Sequence, residues 1–219
     1  MKRLIELAKK MPIDVGQRSD RWITQGKVIA RDLVPPASAG QRALDVGCRQ
    51  GDQTRWLEQK GYTVTSIDVE KVYDRAEVVD ADQPLPHPDD HFDLLWCSEV
   101  IEHLDDPGKS IGEFRRVVKP GGLLVITTPN SYVWFHRALS VVGLTPKKLQ
   151  NTGHKHFFDL DAVRGLFPRG DLYGYFPYAL VKRTVHSDLS LSLLTPTFVI
   201  REQKPARNSQ AKSAVAAPN

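Results

Sequence analysis

Cysteine is scarce in this 219-residue chain. There are two, Cys48 and Cys97, and neither belongs to a Cys-x-x-Cys pair. That excludes a disulfide framework, and a reducing, cytoplasmic setting is the expectation. Long apolar runs are missing too. No window approaches the ~18 consecutive apolar residues of a membrane-spanning helix. Residues 1–10 carry the charges of an export signal but not its apolar core, because Glu6, Lys9 and Lys10 interrupt it. Charge of one sign is not in excess: 30 Lys and Arg stand against 26 Asp and Glu, a net charge of +4. The basic residues are spread along the chain, so a nucleic-acid partner is permitted but not called for. There is no internal repeat. The dinucleotide fingerprint Gly-x-Gly-x-x-Gly is absent as well, which disfavours a nicotinamide-dependent dehydrogenase.

What is present begins with residues 42–61. A short apolar run, 43–46, contains Asp45. It breaks at Gly47, turns through Gly51, and leaves as a helical pattern that stops at Gly61. This is a strand, a glycine loop and a helix. A second apolar run, 62–67, ends in Asp68. An acid about 20 residues after the loop suits a ribose-binding βαβ unit. Asp52 follows the loop, where a pyrophosphate would meet a negative charge instead of a bare helix N-terminus. A ligand with an amine and no phosphate would not be repelled, and Asp45 and Asp52 suit a cationic amino-acid end. The competing reading is a plain βα turn with Asp52 as N-cap and Asp68 as a solvated loop acid.

The remaining chain alternates strand and helix. Residues 1–40 read as a helical preface, with one helix over 19–34 closed by Pro35-Pro36. Strands are predicted at 42–46, 62–67, 76–79, 92–96, 123–127, 178–184 and 193–201. Helices are predicted at 52–60, 107–118, 131–143 and 159–166, with Asp159 as an N-cap. Pro120-Gly121-Gly122 reads as a turn. The expected fold class is α/β: a doubly wound, mostly parallel seven-stranded sheet with helices on both faces. Residues 41–202 would form the ligand-binding domain, with an insert over about 131–168. The tail 203–219 has little to bury and is expected to be disordered. In such sheets ligands lie at the carboxyl ends of the strands, which points to Gly47, Asp68, Asp80, Ser98 and Thr128.

Four blocks carry a resemblance. Leu44-Asp45-Val46-Gly47-Cys48-x-x-Gly51 resembles motif I of class I S-adenosylmethionine-dependent methyltransferases. Leu85-Pro86-x-Pro88-Asp89-Asp90-x-Phe92-Asp93, then Ser98-Glu99-Val100-Ile101-Glu102-His103-Leu104, and then 119–130 resemble the blocks that follow it. The resemblance covers residues 40 to about 168, and the order of the blocks makes it specific. It implies a Rossmann-like methyltransferase fold with S-adenosyl-L-methionine as cofactor. Asp45, Gly47, Cys48 and Gly51 would then line the methionine end and Asp68 the ribose. Asp80 and Ala81 would meet the adenine, with Asp82 a further candidate. Ser98 and Glu99 would border the sulfonium. Arg49 departs from the pattern, which usually has glycine there.

The implied activity is O-methylation of a small-molecule or lipid- or glycan-linked acceptor by direct in-line transfer. Two alternatives stand beside it. A nucleic-acid methyltransferase would carry Asn/Asp-Pro-Pro-aromatic where this chain has Cys97-Ser98-Glu99. A non-catalytic cofactor-binding subunit would read Arg49 as decay of the site. An oxygen acceptor needs a base, and histidine is the commonest. His103 is the first candidate, with a core histidine as its plain alternative; His154 and His156 are the others. No metal is expected, since no acidic or cysteine cluster is visible beside His154 and His156. The apolar segment 131–143 reads as core, as a lid, or as a face for peripheral membrane contact.

Overall fold

The computed structural model describes residues 24–141, 143–150, 153–176 and 184–207. Helix α1, Gln25–Asp32, is capped by Thr24, whose side chain accepts from Lys27 N. Strand β1, Arg42–Val46, leads through the glycine loop into α2, Asp52–Gln59. Next come β2, Thr63–Asp68, the two-residue β3, Glu77–Val78, and β4, Phe92–Ser98. A single 3-10 turn, Ile101–His103, precedes α3, Pro107–Val117, which is capped by Asp106. Strand β5, Val118–Pro129, is the longest. It is followed by α4, Trp134–Val141, α5, Pro146–Leu149, and α6, Leu160–Leu166. The last elements are β6, Asp171–Tyr175, β7, Thr184–Val185, α7, Asp188–Leu193, and β8, Thr197–Gln203.

The strands form one sheet in the order β3-β2-β1-β4-β5-β8-β6-β7. Pairings from β3 through β5 are parallel, and β8 enters antiparallel between β5 and β6. The chain leaves β1 toward β2 on one side and returns at β4 on the other. The crevice between β1 and β4 is therefore the switch point. Side chains alternate across the sheet. Ala43, Leu94, Trp96 and Val125 pack with Ile29 and Ala30 of α1 and Leu57 of α2. Leu44, Leu95, Cys97 and Ile126 pack with Ile111 and Phe114 of α3 and Val163 of α6. Both faces are covered, as a central parallel sheet requires.

Among the described residues the sheet has eight strands where seven were expected. Strand β6 was missed because Gly174 interrupts its short pattern; a Cβ there would meet the Thr195 side chain at 2.5 Å. The strand expected at 178–184 lies outside the described residues except for Thr184. The first part of the expected helical preface, including the start of the helix over 19–34, also lies outside them. Pro120-Gly121-Gly122 is not a free turn. It lies within β5, opposite a register shift between Phe92 and Leu94, and Gly121 takes φ 81°. The extra residues form a bulge against β4, while Gly121 N donates to the Lys204 carbonyl at 2.8 Å on the other side. Helix α2 starts after Gly51, itself left-handed at φ 78°, so Asp52 is its first residue and not its cap. The tail is ordered further than expected. Gln203 belongs to β8, and Lys204 Nζ donates to Asp90 Oδ1 at 2.7 Å and to Val118 O at 2.6 Å. Residues 208–219 lie outside the described chain.

Candidate active site at the carboxyl edge of the sheet

The parallel register puts the ends of β1, β2, β4 and β5 on one edge. The glycine loop leaves β1 there. Gly47 N donates to the Ile67 carbonyl at 2.9 Å, and Gly51 N to that of Cys48 at 2.8 Å. Both glycines have positive φ, 73° and 78°. A Cβ on Gly47 would lie 2.4 Å from Val100 Cγ2, so glycine is required there by conformation and by space.

Arg49 also sits in the left-handed region, at φ 45°. Glycine would adopt this conformation without strain. The arginine pays a strain on the order of 1 kcal/mol for it. In this conformation Arg49 N donates to Asp68 Oδ2 at 2.8 Å, while Glu70 N donates to Asp68 Oδ1 at 3.2 Å. The strand-end acid is thus fastened to the loop through backbone donors, with lone pairs left on both oxygens.

Behind the loop Asp45 is 1% exposed. Thr54 Oγ1 donates to its Oδ2 at 2.6 Å, and Thr54 lies 2.8 Å from Ser66 Oγ. Burial pushes the Asp45 carboxyl up to about 6, against the pull of Thr54 and Lys27. Cys48 is buried, and burial beside Asp45 and Asp68 raises its thiol to about 12. It is a neutral wall and not a nucleophile. Asp80 is exposed and accepts from Asp82 N at 2.9 Å; Ala81 is buried. Asp82 is engaged elsewhere, accepting from Asp105 N at 2.7 Å.

Across the crevice, Ser98 Oγ lies 2.8 Å from Thr127 Oγ1, and Thr127 Oγ1 donates to Glu99 Oε1 at 3.0 Å. Glu99 holds φ 58°, a left-handed value unusual for this residue type. Burial raises its carboxyl to about 7, opposed by Lys27 and Thr127. Glu102, 1% exposed, accepts from Thr128 Oγ1 at 3.0 Å, and burial together with Glu99 pushes it well above the usual range. His103 and His154 meet edge to face with ring centroids 4.8 Å apart. Burial and His103 lower His154 to about 4, so the His154 ring presents a nitrogen lone pair near neutrality. His156 does not join them. It lies 3.3 Å from the Asp105 carbonyl and stacks on Phe158.

Against this geometry, comparison with known proteins decides the family. Residues 17–173 match the description "Methyltransferase domain". The chain belongs to that family. Among curated relatives, the tocopherol O-methyltransferase of Arabidopsis thaliana is 35% identical over 46% of this chain and 32% of its own length. The ubiquinone biosynthesis O-methyltransferase of Alkalilimnicola ehrlichii is 32% identical over 43% of this chain and 46% of its own. The chain spans less than half the length of these relatives. Among solved structures, an S-adenosylmethionine-dependent methyltransferase from Mesorhizobium loti superposes with a TM-score of 0.63 at 18% identity. It covers 83% of this chain and 98% of that one. One from Archaeoglobus fulgidus gives 0.59 at 17% identity, covering 82% and 94%. At these identities the likeness is one of fold.

Two features of this methyltransferase domain escaped the sequence reading. Lys27, on α1, interacts with Glu99 and Asp45, and burial pulls its ammonium below the ordinary lysine range. Among the described residues its ammonium has no hydrogen bond or ion pair. In the sequence it is one polar residue on an amphipathic helix, with nothing to mark it. The second feature is an acid beside the histidines. No acidic cluster is visible beside His154 in the sequence, yet Glu102, His103 and His154 come together in the fold. The link is long-range: Lys155 N and His156 N donate to the Glu102 carbonyl at 2.9 and 3.0 Å. In α4, Val133 and His136 on its approach and first turn are buried, while Tyr132, Trp134 and Val141 are exposed. No helix among the described residues is long and apolar enough to cross a membrane.

Proposed function

We propose that the domain binds S-adenosyl-L-methionine at the β1–β4 crevice and transfers its methyl group to a hydroxyl oxygen of a small-molecule acceptor. The observation that carries this reading is the joining of the glycine loop to the strand-end acid through Arg49 N and Asp68 Oδ2, within a chain of this family. The donor set fits the cofactor. Asp68 keeps lone pairs for a ribose diol. The carboxyl groups of Asp45 and Glu99 suit a sulfonium, and Lys27, whose ammonium interacts with both, offers a cation for a carboxylate end. Asp80 and the Ala81 backbone are assigned to the adenine by the family resemblance. When bound, the cofactor supplies an electrophilic methyl carbon, so the protein contributes alignment more than chemistry.

The chain's own residues divide the work. Gly47 and Gly51 let the backbone pass close to the ligand. Thr127, paired with Ser98, holds the Glu99 carboxylate, while His103 and His154, clustered with Glu102, are read as the acceptor-side groups. The O-methyltransferase relatives support an oxygen acceptor. Exposed Tyr132, Trp134 and Val141 suit one that is carried at a membrane surface, testable by sedimentation with anionic vesicles. A nucleic-acid substrate is disfavoured, since the chain has Cys97-Ser98-Glu99 where a base-amine methyltransferase would carry Asn/Asp-Pro-Pro-aromatic. Calorimetry with S-adenosylmethionine and its demethylated product tests the core of the proposal. We expect micromolar-range binding of both, and failure to bind either in the millimolar range would overturn it.

A further inference from the structure

Glu102 and His103 come from the 3-10 turn after β4, and His154 from the loop before α6. Each offers one ligating atom, and the three atoms lie within 4.8 Å of one another. The backbone holds them there through the two donors to the Glu102 carbonyl. His103 Nδ1 lies 2.9 Å from the Gly153 carbonyl oxygen. A carbonyl can only accept, so Nδ1 carries the proton and the Nε2 lone pair is left for a ligand. Histidines that bind metals are oriented in this way, by a carbonyl on the other ring nitrogen. Two atoms of the cluster are buried without a hydrogen-bond partner, Glu102 Oε1 and His154 Nδ1. Buried polar atoms are nearly always satisfied. Here two of them, from distant parts of the chain, belong to the same small cluster. Glu102 Oε2 is already taken by Thr128, which fixes the carboxylate as a second-sphere contact fixes a ligand.

We propose that Glu102, His103 and His154 bind a divalent first-row transition cation. Two imidazoles and a carboxylate are a donor set for such ions and leave at least one coordination position open. Magnesium, which prefers an all-oxygen octahedron, fits poorly. On the methyl-transfer reading above, on which this second part rests, the open position takes the acceptor hydroxyl oxygen. Coordination lowers the hydroxyl pKa and its proton leaves to water. The two histidines then act as ligands, and no side-chain base is needed.

The test is a Zn2+ titration of the tag-free full chain after removal of metal by a chelator, followed by calorimetry and by metal content after desalting. One ion per chain should bind with a Kd of about 1 μM or tighter, and Mg2+ at least about tenfold more weakly. His103→Ala, His154→Ala and Glu102→Gln should each weaken Zn2+ binding by about tenfold or more, while His91→Ala, at the opposite edge of the sheet, leaves it unchanged. Should a variant fail to fold, Co2+ on the wild-type chain supplies the readout: visible d–d bands that added Zn2+ abolishes. Substoichiometric metal, an affinity indifferent to all three folded variants, or absent Co2+ bands would overturn the proposal. S-adenosylmethionine calorimetry on the same metal-free protein separates the two ideas. Cofactor binding without metal binding removes only the metal site, whereas lost cofactor binding removes the methyl-transfer reading.

Discussion

The two sides of the β1–β4 crevice are built in contrasting ways. On the β1–β2 side every acid has donors from nearby in the chain: Asp45 from Thr54, Asp68 from Arg49 N and Glu70 N. On the β4–β5 side the groups come from far apart, and Glu102 Oε1 and His154 Nδ1 are left unsatisfied. The first side is complete without a ligand, and its shape is fixed by backbone. The second is assembled by tertiary contacts and has polar capacity to spare. On the proposed methyl transfer the contrast is a division of labour: a preformed seat for the cofactor would face side chains left available to an acceptor.

The strongest challenge to this contrast is Gly47→Ala. It adds a Cβ 2.4 Å from Val100 at a positive φ, so folding stability should fall on the order of 3 kcal/mol. Chemical denaturation checks it, and an unchanged midpoint would mean the loop is not rigid. Asp45→Asn probes the buried acid behind that loop. Its folded pKa of about 6 lies above the ordinary 3.8. The native state therefore holds a proton more tightly than the unfolded chain, and stability is lost as pH rises between these values. The variant should gain relative to the parent by about 2 kcal/mol from pH 4 to pH 7; parallel stability curves would refute the shift.

Asp68→Ala should weaken S-adenosylmethionine binding by about 2 kcal/mol, since hydrogen bonds to a charged group are lost, and leave Zn2+ affinity unchanged. A drop in both would erase the distinction between the two sides. The smallest effect is expected for Arg49→Gly. Relief of left-handed strain is offset by glycine's greater freedom when unfolded, leaving a change within about 1 kcal/mol and cofactor affinity equal or higher. A large loss of affinity would give the Arg49 side chain a role of its own.

The legibility of the site follows the same line. Gly47, Gly51 and Asp68 could be read from the sequence because their geometry is local: a strand end, a turn and an acid one βα unit later. Arg49 looked like a departure until its backbone angle gave the reason. Lys27 and the Glu102–His154 association could not be read. Both depend on which helix or loop packs over the edge, and no periodicity encodes that. Lys204 is similar. Composition marks the tail as having nothing to bury, yet its ammonium is held by Asp90 and the carbonyls near α3.

Alternation of apolar strands with amphipathic helices was enough to determine a doubly wound sheet, because only covered parallel strands can be apolar on both faces. Glycine placement determined where the chain turns at the ligand edge, because few other residues tolerate positive φ beside a packed side chain. Tertiary structure alone decided the rest: that His103 and His154 share an acid while His156 does not, and that a lysine from the preface helix reaches the acids at the mouth. Such pairings are settled by long-range backbone hydrogen bonds and burial, and neither leaves a mark in the spacing of residues along the chain.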